Sequence, residues 1–184
     1  MASATELLHQ QGVERTTLAQ IAHAADVPPG NVYYYFKTRD DLVRAAIDAR
    51  EQSVRALLSS FERRSSPASR LKCLARSWAD VADLVAAHGC PLGSLCSELN
   101  KHERPLADDA ADLFRVVLDW EEAQFREMGC KGARELATTL MASVQGAALL
   151  ANTLREPKIL VREVRRLERW IDSLRYSQER SDTR

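Results

Sequence analysis

Cysteine and long apolar runs are scarce in this 184-residue chain, and each scarcity closes off a class of protein. The four cysteines (Cys73, Cys90, Cys96 and Cys130) form no CxxC pair, which argues against both a zinc ribbon and a disulfide scaffold. No apolar stretch approaches the roughly 20 residues that cross a bilayer, and the amino terminus carries no leader pattern. The expectation is a cytoplasmic protein with reduced thiols and no membrane partner. Lys plus Arg and Asp plus Glu both total 26, so no global field draws the chain to nucleic acid or lipid. Catalytic signatures are missing as well: no nucleophile elbow, no phosphate loop, no acid pair, and four scattered histidines. A metal site could be drawn only from His88, Cys90, Cys96 and His102, whose spacing fits no standard ligand pattern. The chain therefore reads as a non-enzyme without metal or cofactor. Strand-like alternation and internal repeats are absent too, which leaves an all-α fold.

What is present is concentrated in Thr16–Leu42, TTLAQIAHAADVPPGNVYYYFKTRDDL. Thr17 and Gln20 have the spacing of a capping box, in which hydroxyl and amide satisfy each other's backbone N–H. Leu18, Ile21, Ala22 and Ala25 then give one apolar face at helical period. Pro28 and Pro29 suit the first turn of a second helix, where their missing N–H is not needed. Val32 and Phe36, four apart, should face inward, turning Gly30, Asn31, Tyr33 and Tyr34 outward. Tyr35 is open between packing and exposure. Thr38 followed by Asp41 reads as another cap, opening a third helix. Two helices across so short a turn suggest a helix-turn-helix, whose second helix enters the DNA major groove. Charge does not by itself support this: residues 1–50 hold five basic and six acidic side chains. Lys37 and Arg39 nevertheless lie just past the second helix, and groove residues need not be charged.

The stretch resembles the DNA-binding region of the TetR family of repressors. Gly12, Thr17, Ile21, Ala22, Ala25, Val27, Gly30, Val32, Tyr33, Phe36, Lys37, Arg39 and Leu42 carry the match. The resemblance implies contacts to double-stranded operator DNA through Thr17, Pro29, Gly30, Asn31, Tyr33, Tyr34, Lys37 and Arg39. Thr17, Tyr33, Tyr34 and Lys37 are assigned mainly to phosphates, and Asn31 to a base edge or a phosphate. It also implies a first helix that starts earlier than here, so the domain at 1–48 is read as beginning with a shortened helix.

The rest, 49–176, reads as a helical ligand-binding and dimerisation domain. A long helix from Thr38 through Phe61 would connect head and body. Leu71, Leu74, Trp78, Val81 and Val85 mark one segment, and Leu106, Ala110, Leu113, Val117 and Trp120 mark another that Gly129 ends. Glu135–Leu154 and a helix opened by Pro157 follow. The tail at 177–184, SQERSDTR, is polar and expected to lack structure. In the family the last two helices pair with their symmetry mates, which the resemblance carries to Ala147, Ala151, Leu160, Val164, Leu167 and Ile171. The segment His88–Cys96 is similar to one in the LmrA/YxaF-type subgroup, whose members answer to small amphipathic compounds. Trp78, Val85, Cys96, Leu113, Val117, Trp120, Leu140 and Val144 lie on faces that could surround such an effector, although each also suits plain core.

The leading expectation is a homodimeric repressor that binds a palindromic operator and is released by a small apolar or aromatic effector. A dimeric small-molecule-binding or thiol-sensing protein with weak or lost DNA binding stands as the alternative.

Overall fold

A computed structural model of the chain describes residues 1–102 and 104–182. Among these the secondary structure is helical, with no strand. The helices are α1 Ala2–Gln11, α2 Leu18–Ala24, α3 Pro29–Tyr35, α4 Arg39–Phe61, α5 Pro67–Asp80, α6 Ala82–His88, α7 Gly93–His102, α8 Arg104–Glu127, α9 Ala133–Leu154 and α10 Lys158–Asp182. The stops follow backbone chemistry. Gly12, Gly89 and Gly129 take positive φ at helix ends, conformations that cost glycine nothing and an L side chain a good deal.

Two boundaries differ from the sequence reading. The segment expected to run unbroken from Leu71 to Val85 is two helices, parted at Val81 (φ −110°, ψ 18°). Val81 is exposed, so the stripe that periodicity joined does not continue through it. The polar tail does not end the last helix: α10 continues to Asp182. No proline or glycine interrupts SQERSD, and its Gln, Glu and Arg are good helix formers.

The chain divides into two compact units, Met1–Arg55 with Pro91–Phe114 and Ala56–Cys90 with Arg115–Arg184. The divisions fall inside α4, between α6 and α7, and inside α8, so α7 groups with the amino-terminal helices.

In the first unit, Ala4, Ile21, Ala22, Val32 and Leu42 form a buried cluster, with Leu7, Leu18 and Phe36 packed around it. This is the apolar periodicity of α2 and α3 realised: each helix is too short to persist alone and is held by its inward face. The Thr38–Asp41 cap forms as read, Thr38 Oγ1 accepting from the Asp41 amide at 3.1 Å and Asp41 Oδ2 accepting from the Thr38 amide at 3.0 Å. The Thr38 hydroxyl, followed by its amide, holds the Asp41 carboxyl below its ordinary value.

In the second unit α5 and α9 both pack on α10, and α6 packs on α9. The carboxyl end of α6 is capped from a distance: Asn152 Nδ2 and Arg155 Nη1 donate to Ala86 O at 3.1 and 3.0 Å, satisfying a carbonyl that the helix itself leaves without a partner. Ala147, Ala151, Leu160, Val164, Leu167 and Ile171, expected at an interface between copies, are all buried within the single chain. The stripe read as a dimer seam is the inner face of α9 and α10, because apolar periodicity marks a buried side without saying what buries it. The outward side of α9 instead exposes Leu149, Leu150 and Leu154. Beside it lies an open groove of about 680 Å³ lined by Ala142, Gly146, Leu150 and Ile159 together with α10 arginines. No helix among the described residues is long and apolar enough to cross a membrane.

Candidate nucleic-acid interface

The geometry of the α2–α3 pair begins with Thr17. Its Oγ1 accepts from the Gln20 amide at 3.2 Å, and Gln20 Oε1 accepts from the Thr17 amide at 2.9 Å, completing the capping box. The turn between the helices is tight. Asp26 adopts φ 53°, and the Val27 amide reaches back to Ala22 O at 3.0 Å. Pro29 occupies the first turn of α3, and the Asn31 amide donates to Pro28 O at 2.9 Å.

Only Val32 of α3 is buried. Gly30, Asn31 and Tyr33 are exposed, and Tyr34 and Tyr35 keep 72% and 76% of their surface open. Tyr35, which sequence alone left open, is therefore an outward residue. A triple tyrosine gives no periodicity, so only the inward packing of Val32 and Phe36 fixes which rings point away. The two rings meet edge-on, with centroids 5.2 Å apart. Lys37 Nζ lies 5.3 Å from the Tyr34 ring centre and donates to Tyr33 O at 3.3 Å. A cation over a π face is held with modest energy, which places a positive charge beside the phenols. Thr17, Pro29 and Lys37 are exposed, while Arg39, the first residue of α4, is half-buried. Gly30 has open space where a Cβ would stand, with nothing within 4 Å.

The other sequence-predicted residues are distributed differently. Val85, Val117, Leu140 and Val144 are buried in the second unit, with Trp78 and Trp120 half-buried there. Cys96 and Leu113 are buried in the first unit, where the Cys96 thiol donates to Ala110 O at 3.2 Å. Trp120 Nε1 donates to Glu62 Oε1 at 2.6 Å. No group of three or more His, Cys, Asp and Glu side chains suited to a metal occurs among the described residues.

The family model for bacterial regulatory proteins of the tetR family matches residues 1–46. A second model, for the carboxyl-terminal domain of LmrA/YxaF-like transcriptional regulators, matches residues 67–166, more than half of the chain. The chain belongs to the TetR family of transcriptional regulators. Among its relatives is the uncharacterised HTH-type regulator YxaF of Bacillus subtilis, 25% identical over 171 residues and matched over 88% of each chain. A crystal structure of a TetR regulator from Legionella pneumophila superposes with a TM-score of 0.81 at 20% identity, covering 94% of this chain and 92% of that one. A regulatory protein TetR from Rhodobacter sphaeroides gives 0.80 at 24%, covering 91% and 94%. As a TetR regulator the protein is a DNA-binding factor and not an enzyme, and its head is the α2–α3 pair described above.

Proposed function

We propose that the protein is a ligand-responsive repressor, acting in the cytoplasm as a homodimer on a palindromic operator. Its α3 helices would enter successive major grooves, since a two-fold dimer reads two half-sites one helical turn apart. The observation that carries the reading is the outward row on α3. Three adjacent tyrosines and an asparagine stand exposed there on a helix whose only buried side chain is Val32. Exposed phenols with a lysine beside them suit phosphate oxygens, and Asn31 suits a base edge. Tyr35 joins Thr17, Pro29, Gly30, Asn31, Tyr33, Tyr34, Lys37 and Arg39 in this surface.

Gly30 supplies a test. The chain leaves room for a Cβ there, so smallness at this position serves a partner's approach and not internal packing. Gly30→Ala should leave unfolding unchanged or raise stability by up to about 1 kcal/mol, since alanine favours helix. Operator affinity should meanwhile fall about fivefold or more, a change of roughly 1 kcal/mol. The duplex for this comparison comes from selection out of random DNA, and affinity retained with raised stability would remove Gly30 from the interface.

Dimerisation is assigned to the outward side of α9, where Leu149, Leu150 and Leu154 are exposed beside the groove. In a two-fold pairing each leucine is buried twice. Leu150→Asp should therefore weaken self-association by at least about 3 kcal/mol, more than a hundredfold. Sedimentation at micromolar protein would show a monomer, and an unchanged dimer mass would move the interface elsewhere.

The effector is proposed to be small and apolar or aromatic, held within the second unit among Trp78, Val85, Val117, Trp120, Leu140 and Val144. It acts by binding the DNA-incompetent state more tightly, and that difference in affinity limits the induction it can produce.

A further inference from the structure

One acidic side chain outside the head grips the loop that leads into α2. Glu98, on α7, accepts from two successive backbone amides: Val13 N to Oε2 and Glu14 N to Oε1, both at 2.8 Å. Adjacent N–H groups converging on one carboxylate form an anion cradle, and the charged acceptor makes each bond stronger than a neutral one. Gly12 makes the approach possible. Its φ is +84°, and a Cβ there would stand 2.9 Å from Glu98 Oε2.

From this grip a run of hydrogen bonds leads to Thr17. Thr16 Oγ1 donates to Gly12 O at 2.6 Å, and Gln11 Nε2 donates to Thr16 Oγ1 at 3.2 Å. Gln11 Nε2 also reaches Gln20 Oε1 at 3.4 Å, the same oxygen that receives the Thr17 amide. Val13 and Thr16 are both buried, with Glu14 and Arg15 exposed between them, so the loop is pinned at two points. All these residues belong to one compact unit.

We propose that Glu98 is a positioning residue for operator binding: from α7 it fixes the 12–17 loop and so sets where the first turn of α2 presents Thr17. The proposal rests on the reading of Thr17 as a phosphate contact. It makes α7 the element whose displacement would misplace Thr17 without unfolding the head.

The test is a double-mutant cycle on the full-length protein with the selected duplex, because coupling between two side chains shows as non-additivity. Glu98→Ala should lower operator affinity several-fold, up to but not beyond the loss seen on removing the Thr17 contact itself, about 1 kcal/mol. Adding Thr17→Ala to it should cost little further, whereas Thr17→Ala alone costs several-fold. In the free protein the Val13 and Glu14 amides should be protected from hydrogen exchange and lose that protection in Glu98→Ala, with the α9 and α10 amides unchanged. Affinity within twofold of wild type in Glu98→Ala, effects that simply multiply, or unaltered Val13 and Glu14 exchange would each overturn the proposal. Thr17→Ala binding like wild type would be a different failure, removing Thr17 from the DNA surface.

Discussion

Replacing Tyr34 and Tyr35 together by alanine is expected to reduce operator affinity about a hundredfold while leaving the thermal unfolding midpoint nearly unchanged. Both rings are largely exposed and touch chiefly each other and, through Tyr34, Lys37, so the folded head loses little by their removal. A hydrogen bond to a charged group contributes about 1.5 kcal/mol or more, and two lost together approach 3 kcal/mol, or two decades in affinity. Exposed aromatics on a helix have no folding reason to be there; docking against phosphate supplies one. Fluorescence anisotropy on the selected duplex, with circular dichroism as the control for folding, decides the matter. A variant that binds within twofold of wild type would show that α3 does not make these contacts.

The second large effect belongs to Glu121. It sits on α8 in the second unit, only 2% exposed, and its Oε2 has no hydrogen-bond partner among the described residues. Burial pushes its carboxyl well above the usual range, with the positive charge of Arg134 opposing. Its buried neighbour along the helix, Gln124, shows the contrast, because Gln124 Oε1 accepts from Arg70 Nη1 at 3.1 Å. A raised folded-state pKa means that the folded chain holds this proton more tightly than the unfolded chain does. The group's contribution is then fully present below the ordinary glutamate pKa of about 4.3 and is lost as pH rises through the raised value. Glu121→Leu should thus stabilise the protein by about 1–3 kcal/mol at pH 8, where an unpaired buried carboxyl costs most. The gain should shrink toward pH 5. Urea unfolding of both proteins at a single fixed concentration, at the two pH values, measures this. An equal difference at both values would mean that Glu121 does not titrate in this range.

These two places in the chain also mark how far the sequence could be read. The head was legible almost entirely. Thr17 with Gln20 and Thr38 with Asp41 are local pairs three residues apart, and both caps form with the expected atoms. Val32 and Phe36 likewise take the inward positions that spacing gives them. Legibility fades where the deciding partner is remote. Apolar spacing continues the stripe Leu113, Val117 to Trp120, yet the step of four lands on Glu121, and it is Glu121 that is enclosed. Trp120 instead turns its indole N–H to Glu62, 58 residues away. Glu98 gave no local signal at all, since its partners at Val13 and Glu14 lie 85 and 84 residues off. Periodicity does not separate the inner from the outer faces of α9 and α10 for a related reason: a seam between copies and a seam within one chain leave the same imprint of period 3.6.

The exposed face of α3 carries phenols where many nucleic-acid-binding helices carry ammonium groups. On the proposed docking, phenolic hydroxyls donate to phosphate oxygens without neutralising them, so this face sheds condensed sodium or potassium ions only through Lys37 and Arg39. Such a regulator gains little from the long-range pull that lets basic proteins slide along arbitrary DNA. Its hold on a target would depend comparatively little on the ionic state of its surroundings, and its occupancy would be governed by fit.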